Sequence, residues 1–392
     1  MDFSIDPETD EFRAQVRKMA EGNFAAKAAY WDQHEEFPEE NRLKLAELGY
    51  LGLSIPSEYG GSDGSFLQAI IGVEEIARVC PNTAVVAQLY MNNVPVHIAS
   101  LGTEEQKQRW LPKLATGEYF ANISISEPHA GSAMTDMTTS ATVQGDQVIL
   151  NGAKCYFTAG HRVTHALIVC RFGKSSGANG IGAVMVERGT RGFETGKPHS
   201  KMGVRGMGEA DVFLDDCRVP LENVLVMGTP DSTASFKRLF GSFGVERVGT
   251  AGMSIGVATA AMEFAKNFTL ERKQFGKALC EFQGIQWKIA DMATQIHAAR
   301  LMAYRAATHT NEWRKPNRYE ATMAKLYANE MVQRVANDAM QLCGHYGYTT
   351  EAPVERLYRD GRNWALAAGS VEILRNTIAE LEYGRKFDQR AS

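Results

Sequence analysis

The stretch Phe120-Ala121-Asn122-Ile123-Ser124-Ile125-Ser126-Glu127-Pro128-His129-Ala130-Gly131-Ser132 is where the reading of this chain turns. Before it, apolar residues recur at helical spacing; from it onward they come in short β-rich runs divided by Gly, Asn and Asp. The runs Ile123 to Ser126, Ala141 to Val143, Val148 to Leu150, Ala166 to Cys170, Ala183 to Val186 and Val212 to Leu214 predict a compact β domain. The Gly/Ser-rich segment Gly173 to Gly180 reads as a β-hairpin loop inside it.

Upstream, Pro7 suits a first helical turn, and Phe12, Val16 and Met19 recur on one face. Gly60, Gly61, Asp63 and Gly64 mark a turn, and Leu101, Gly102 and Thr103 open another helix. Downstream of Met227, Gly228, Thr229 and Pro230 the helical period returns, with Ile285, Ile289, Met292 and Ile296 on one face. The expected fold is α+β multidomain: an N-terminal α-helical domain over 1–119, a middle β-barrel-like domain over 120–229, and a C-terminal four-helix bundle over 230–392.

A chain of 392 residues exceeds what one core usually organises, which agrees with several domains and a cleft between them. The net charge of -4 provides no basic field for nucleic acid. No apolar run is expected to cross a bilayer, and Met1, Asp2 and Phe3 do not open a signal segment. Cys80, Cys155, Cys170, Cys217, Cys280 and Cys343 are scattered singly, without metal-site pairing or the density of a disulfide scaffold, so a reducing cytoplasm is expected.

Ser126 to Ser132 resembles the first signature of the acyl-CoA dehydrogenase family, at the start of that family's β domain, with His129 where the family has Gly. The similarity continues through Asn151, Gly152, Lys154 and Thr158, then Arg272, Phe275, Gly276 and Gln283, then Gln341, Gly344, Gly347 and Pro353 to Arg356. It covers essentially the whole chain, with the motifs in order and on the elements the pattern suggests. The resemblance implies FAD between domains and reaching a neighbouring subunit, a homotetramer, an acyl-CoA substrate, and an electron-transfer flavoprotein as acceptor.

A flavin needs hydrogen bonds to its ring edge, a flat wall and donors for its pyrophosphate. By resemblance Ile125, Ser126 and Thr158 face the ring, and Ser132 sits where cofactor and CoA arm run close. Tyr156 stands where the family commonly has Trp against the ring, an aromatic surface of the same kind. Arg272 and Gln283 match residues that reach the FAD of the adjacent subunit, with Phe275 packed beside them. Gln341, Gly344 and Gly347 resemble a loop closing over that cofactor, with His345 replacing a second glycine there; Ser370 and Glu372 match positions touching cofactor or subunit contact. Without that resemblance, the small hydroxyls would read as turn formers and Arg272 as part of a solvated helix face.

Removing the α-hydrogen of a thioester needs a carboxylate near the α-carbon and donors on the carbonyl oxygen. The family's commonest base position is Ala368 here, before Gly369 and Ser370, and a methyl group takes no proton. The isovaleryl and long-chain branches carry the base before an Arg on the first helix of the last domain, which Glu246 followed by Arg247 matches. Glu246 is therefore the candidate base; its bland alternative is a helix-start residue or ion-pair partner. Ala367 and Ala368 leave room for a branched, cyclic or aryl-bearing acyl chain, the Ala368 amide is implied to hold the thioester carbonyl, and Phe236 and Arg247 resemble residues along the CoA path.

Competing readings keep the fold and change the reaction. The chain also resembles the 3-sulfinopropionyl-CoA desulfinase and crotonobetainyl-CoA reductase branches, near Met202 to Gly206 and Phe282 to Trp287 for the former. The desulfinase has Gln at the position of Glu246, so the carboxylate favours proton abstraction. A flavin monooxygenase on the same fold would not need the CoA-path residues, and a decayed assembly module would not need Arg272, Phe275 and Gln283 together.

Overall fold

The protein is described from a computed structural model covering residues 6–312, 314–387 and 389, so Met1, Asp2 and Phe3 lie outside the described residues. The chain forms two compact units. One comprises the residues up to Ala25, Ile70–Pro81 and those from Gly244 onward; the other comprises Ala26–Ala69 and Asn82–Phe243.

The first unit is helical. Its opening helix, Pro7–Phe24, starts as the sequence predicts: Asp6 caps it by accepting from the Thr9 amide at 2.9 Å, and Pro7 fills the first turn. The long helices Phe243–Glu271, Gln283–Thr308 and Arg318–Gly347 follow, with the shorter Pro353–Arg362 and Val371–Glu382. Helix Phe66–Val79 lies against Phe243–Glu271 at backbone distance, because a Cβ on Gly256 would come within 2.1 Å of the Glu74 carbonyl oxygen. Tyr304 donates to Glu74 Oε2 at 2.6 Å and Arg300 Nε to Oε1 at 2.9 Å, so the buried carboxylate is neutralised where it enters the bundle.

The second unit is built on a mixed sheet of strands β1 (Ala121–Ser124), β2 (Ser140–Gln144), β3 (Gln147–Thr158), β4 (His165–Phe172), β5 (Ile181–Glu187), β6 (Phe193–Thr195), β7 (Glu209–Pro220) and β8 (Val224–Val226). The order is β6-β7-β3-β2-β4-β5-β8, with β1 pairing parallel to β4 and the β4–β5 hairpin spanning the Gly173 to Gly180 turn. Leu167, Val169 and Met185 of the sheet share a core with Trp110 and Leu111 of helix Glu104–Ala115. That helix begins with a full capping box, Thr103 with Gln106.

Three expectations are corrected. β3 does not stop at Leu150 but runs on to Thr158: Gly152, at φ 148, lies against Thr139 where a Cβ would come within 2.6 Å, so the Asn151-Gly152 pair makes a register shift rather than a turn. Short strands β6 and β8 carry too few residues to show a period and were not expected. The stretch Ala234–Glu271 is long and apolar enough by length and composition to cross a membrane, contrary to expectation, but 78% of its apolar window is buried within the protein. All six cysteines are free thiols, five of them buried.

Candidate functional site

At the end of β1 the chain leaves the sheet through Ile125 and Ser126 and turns back over Pro128 and His129, Glu127 and Ala130 exchanging backbone hydrogen bonds of 3.2 and 3.0 Å. The turn is held from below. Buried Glu127 accepts from Lys154 Nζ at 2.8 Å and from the Thr138 and Thr139 amides at 2.7 and 3.0 Å, while Lys154 also donates to the Ile125 carbonyl at 3.0 Å. Burial alone would raise the Glu127 pKa, but Lys154 and these donors pull it down to about 2. The motif's Glu and Lys are thus the loop's anchor, a role sequence reasoning left unassigned. His129 is exposed and does not carry positive φ, so replacing the family's Gly there costs the backbone nothing.

The Ser126 carbonyl accepts from the Cys155 amide at 2.9 Å, which sets Ser126 beside the last residues of β3. There Tyr156 sits at φ 55 with its ring 66% exposed, and Thr158 ends the strand. The hydroxyls of Ser126 and Thr158 have no hydrogen-bond partner among the described residues. Two open hydroxyls flanking an open aromatic face, one held on strained backbone, fit the edge and face of a flavin ring. Ser132 lies exposed on the same loop. Phe236, on helix Ala234–Gly241, begins an aromatic ladder with Phe240 at 4.6 Å and Phe243 at a further 4.8 Å, which reaches the ring of His97 at 5.6 Å.

In the helical unit Glu246 and Arg247 occupy the first turn of Phe243–Glu271. Arg247 donates to Thr322 Oγ1 at 3.3 Å, its Nε is buried without a hydrogen-bond partner among the described residues, and burial lowers its pKa. One of its terminal nitrogens stands 3.8 Å from where a Cβ on Gly369 would lie, so the structure brings Arg247 to the Ala367–Ser370 loop. Ala368 is half-buried at φ 53, an unfavourable conformation for a residue with a Cβ.

Beneath that loop lies a residue sequence reasoning did not single out. Lys325, on Arg318–Gly347, is 0% exposed, and Nζ donates to the carbonyls of Trp364, Ala367 and Gly369 at 3.2, 2.9 and 2.8 Å. Burial and, to a lesser degree, the charge of Arg247 lower its pKa to about 7, with Glu246 opposing both. The only signal in the sequence is a charged residue on the apolar stripe Ala321, Ala324, Ala328 and Val332. Ser370 stands at the N-cap position of helix Val371–Glu382 without a side-chain cap bond, and the Glu372 amide and the Ser370 hydroxyl lower the pKa of exposed Glu372.

Arg272 and Phe275 lie at the small hairpin of Lys273–Gln274 and Lys277–Ala278, and Gln283 opens the helix that follows it. Phe275 does not pack beside its neighbours as expected: it is 94% exposed at φ 51, touching only the edge of Phe282 at 6.2 Å. Gln341 and Gly344 are exposed on the last turns of Arg318–Gly347, where Gly344, at φ 60 and ψ -146, breaks the helix. Tyr346 stacks on Phe268 at 5.8 Å, which brings that end beside the start of the Arg272 turn. Gly347 is the exception: it is buried, a Cβ there would meet the Met340 carbonyl at 2.8 Å, and its glycine serves packing rather than an approaching phosphate.

Three family models match the chain: the acyl-CoA dehydrogenase N-terminal domain over 6–118, middle domain over 122–217 and C-terminal domain over 236–381. An acryloyl-CoA reductase (NADH) of Anaerotignum propionicum is 37% identical over 97% of this chain and 95% of its own length. A short-chain-specific acyl-CoA dehydrogenase of Clostridium acetobutylicum is 35% identical over 97% and 99%. The butyryl-CoA dehydrogenase of Megasphaera elsdenii superposes with a TM-score of 0.92 at 32% identity, covering 98% of this chain and all of the other.

Proposed function

The chain belongs to the acyl-CoA dehydrogenase family, and we propose that within it Glu246 takes the α-proton of a branched, cyclic or aryl-bearing acyl-CoA thioester. The protein is an FAD-dependent oxidoreductase acting on the CH–CH bond of an acyl-CoA, with the family's three-domain fold, helical, sheet and helical. FAD, when bound, would supply the acceptor for the β-hydrogen as hydride. The boundaries 119/120 and 229/230 belong to the proposal.

One observation carries the assignment of the base. Residue 368 is an alanine, while Glu246 directly precedes Arg247, whose guanidinium stands 3.8 Å from where a Cβ on Gly369 would lie, beside the carbonyls that Lys325 bonds on either side of residue 368. A carboxylate on the first helix thus stands in the electrostatic neighbourhood of the loop that lacks one, and the position of the carboxylate matters more than the element that carries it. Arg247, anchored by Thr322, serves the CoA thioester, and the Ala368 amide serves its carbonyl. Ser126, Thr158 and Tyr156 position the flavin ring, with Ile125 and Ser132 beside them, and Ser370 and Glu372 complete the cofactor contacts.

The exposed Arg272, Phe275 and Gln283, with Gln341 and Gly344 beyond them, are proposed to reach the FAD of a neighbouring subunit in a homotetramer. An electron-transfer flavoprotein is the proposed acceptor and the cytoplasm the proposed compartment. The 37% identity to an acryloyl-CoA reductase favours a second reading, in which the same residues work in the reductive direction.

The test adds straight, branched, dicarboxylic and aryl CoA thioesters anaerobically to wild type and Glu246→Gln and follows the flavin band. We expect bleaching by one branched, cyclic or aryl class, slowed about 1000-fold in the variant. Equal bleaching in both proteins would remove Glu246 as base, and bleaching only by straight chains would remove the substrate class.

A further inference from the structure

We propose that Lys325 is a positioning residue that aims the Ala368 N–H at the thioester carbonyl, by fastening the carbonyl on the far side of the same peptide. In a trans peptide the C=O and N–H point in opposite directions, and no cis peptide occurs among the described residues. The Ala367 carbonyl turns inward to Lys325 Nζ at 2.9 Å, so the Ala368 N–H, on that peptide, turns the other way. The Gly369 carbonyl is bound to the same nitrogen at 2.8 Å, which directs the Ser370 N–H outward too. Neither amide has a hydrogen-bond acceptor among the described residues.

The chemistry of the anchor matches the task. An ammonium has three N–H donors and no acceptor, and Lys325 meets three carbonyls. Asn329, also buried, donates to the Trp364 carbonyl at 2.5 Å and accepts from Ser254 Oγ at 2.9 Å, so the anchor extends to the Phe243–Glu271 helix that carries Glu246. Held at 367 and 369, residue 368 keeps its φ of 53 although it is not glycine. A buried cation with no carboxylate bonded to it among the described residues is costly, and what it aims accounts for its place here.

The inference rests on the reading that the Ala368 amide serves the thioester carbonyl, and the experiment separates the two. Lys325→Met is one atom shorter and removes all three donors; Lys325→Gln, which keeps two N–H donors on a shorter arm, replaces it if the former does not fold. Hydrogen exchange is measured at Leu366 and Ala367, whose amides bond the Asn363 carbonyl at 3.0 and 3.2 Å, and kcat and KM are measured across pH with the thioester that bleaches the wild type. We expect exchange at these amides to rise about tenfold. We expect the plateau kcat to fall about 100-fold with KM nearly unchanged, a loss that remains after any shift of the pH limb caused by removing the Lys325 charge, the signature of a donor acting in the transition state.

Unchanged loop exchange, or a loosened loop with unchanged kcat, overturns the proposal. A shifted pH limb with its amplitude kept also overturns it, because Lys325 would then act through its charge on Glu246. If the wild type turns over no thioester, the functional reading fails, and the exchange measurement alone decides whether Lys325 holds the loop.

Discussion

Lys154 Nζ stands 2.8 Å from Glu127 Oε1 with neither side chain more than 1% exposed, directly beneath the turn that carries Ser126 and Ser132. Removing one partner of such a pair strands a buried charge, so Lys154→Met should cost about 3–5 kcal/mol in denaturant unfolding. The carboxylate also sets an acid limit. Its pKa is about 2 in the fold against an ordinary 4.5, so the unfolded chain takes up a proton before the folded one does. That contribution, roughly 3 kcal/mol, is present above pH 4.5 and lost as pH falls towards 2; unfolding midpoints measured between pH 5 and 2 should show it in wild type.

A second acid window lies higher and is shared by His97, His161 and His165, each lowered by burial to about 4; His97 is the clearest case. It is 2% exposed, with Nδ1 2.7 Å from Ser242 Oγ, and burial lowers its pKa from 6.5 to about 4. Below pH 6.5 the unfolded chain binds a proton that the folded one refuses, so stability from this residue is full above 6.5 and declines as pH falls towards 4. The loss should approach about 3 kcal/mol. His97→Gln should flatten unfolding free energy between pH 6.5 and 4.5 relative to wild type, and an equal slope in both proteins would assign the acid sensitivity elsewhere.

The Glu74 carboxylate, 2% exposed, is the corresponding weak point of the helical unit. Tyr304→Phe removes its 2.6 Å donor without changing ring volume, and leaves Arg13 without the hydroxyl it meets at 3.0 Å. The expected cost is about 1–3 kcal/mol in the denaturant midpoint. Spectra of the bound flavin should not change, because none of these residues lies among the proposed cofactor contacts.

Local signals carried much of this fold. Asp6 with Pro7, Thr103 with Gln106, and the β-rich runs from Ile123 to Leu214 each state their element within a few residues. The failures share one cause, which is dependence on distant chain. Asn151-Gly152 divides two β runs locally, and only the distant partners β7 and Thr139 show that the strand continues through it. Lys325 reads as a charge misplaced on an apolar stripe until the carbonyls of 364, 367 and 369 arrive from about forty positions on. Glu127 and Lys154 were visible as letters of a motif, but their pairing across 27 positions was not.

The same distance between sequence and geometry suggests that the base can be moved. If Glu246 acts because its carboxylate reaches the α-carbon, then a carboxylate at 368, the family's common position, should substitute for it. Glu246→Gln combined with Ala368→Glu should recover at least about tenfold of the roughly 1000-fold lost in the single variant, since general-base contributions span such a range. Recovery should be incomplete: residue 368 is held at φ 53, where a side chain costs backbone strain, and Lys325 beneath it will attract the new carboxylate. Adding Ala368→Glu to the wild-type protein should instead slow turnover, because the longer side chain fills space that the alanine leaves to the acyl group. Single-turnover flavin bleaching of the four proteins checks this, and no recovery in the double variant would mean that Glu246 does more at its own position than hold a base.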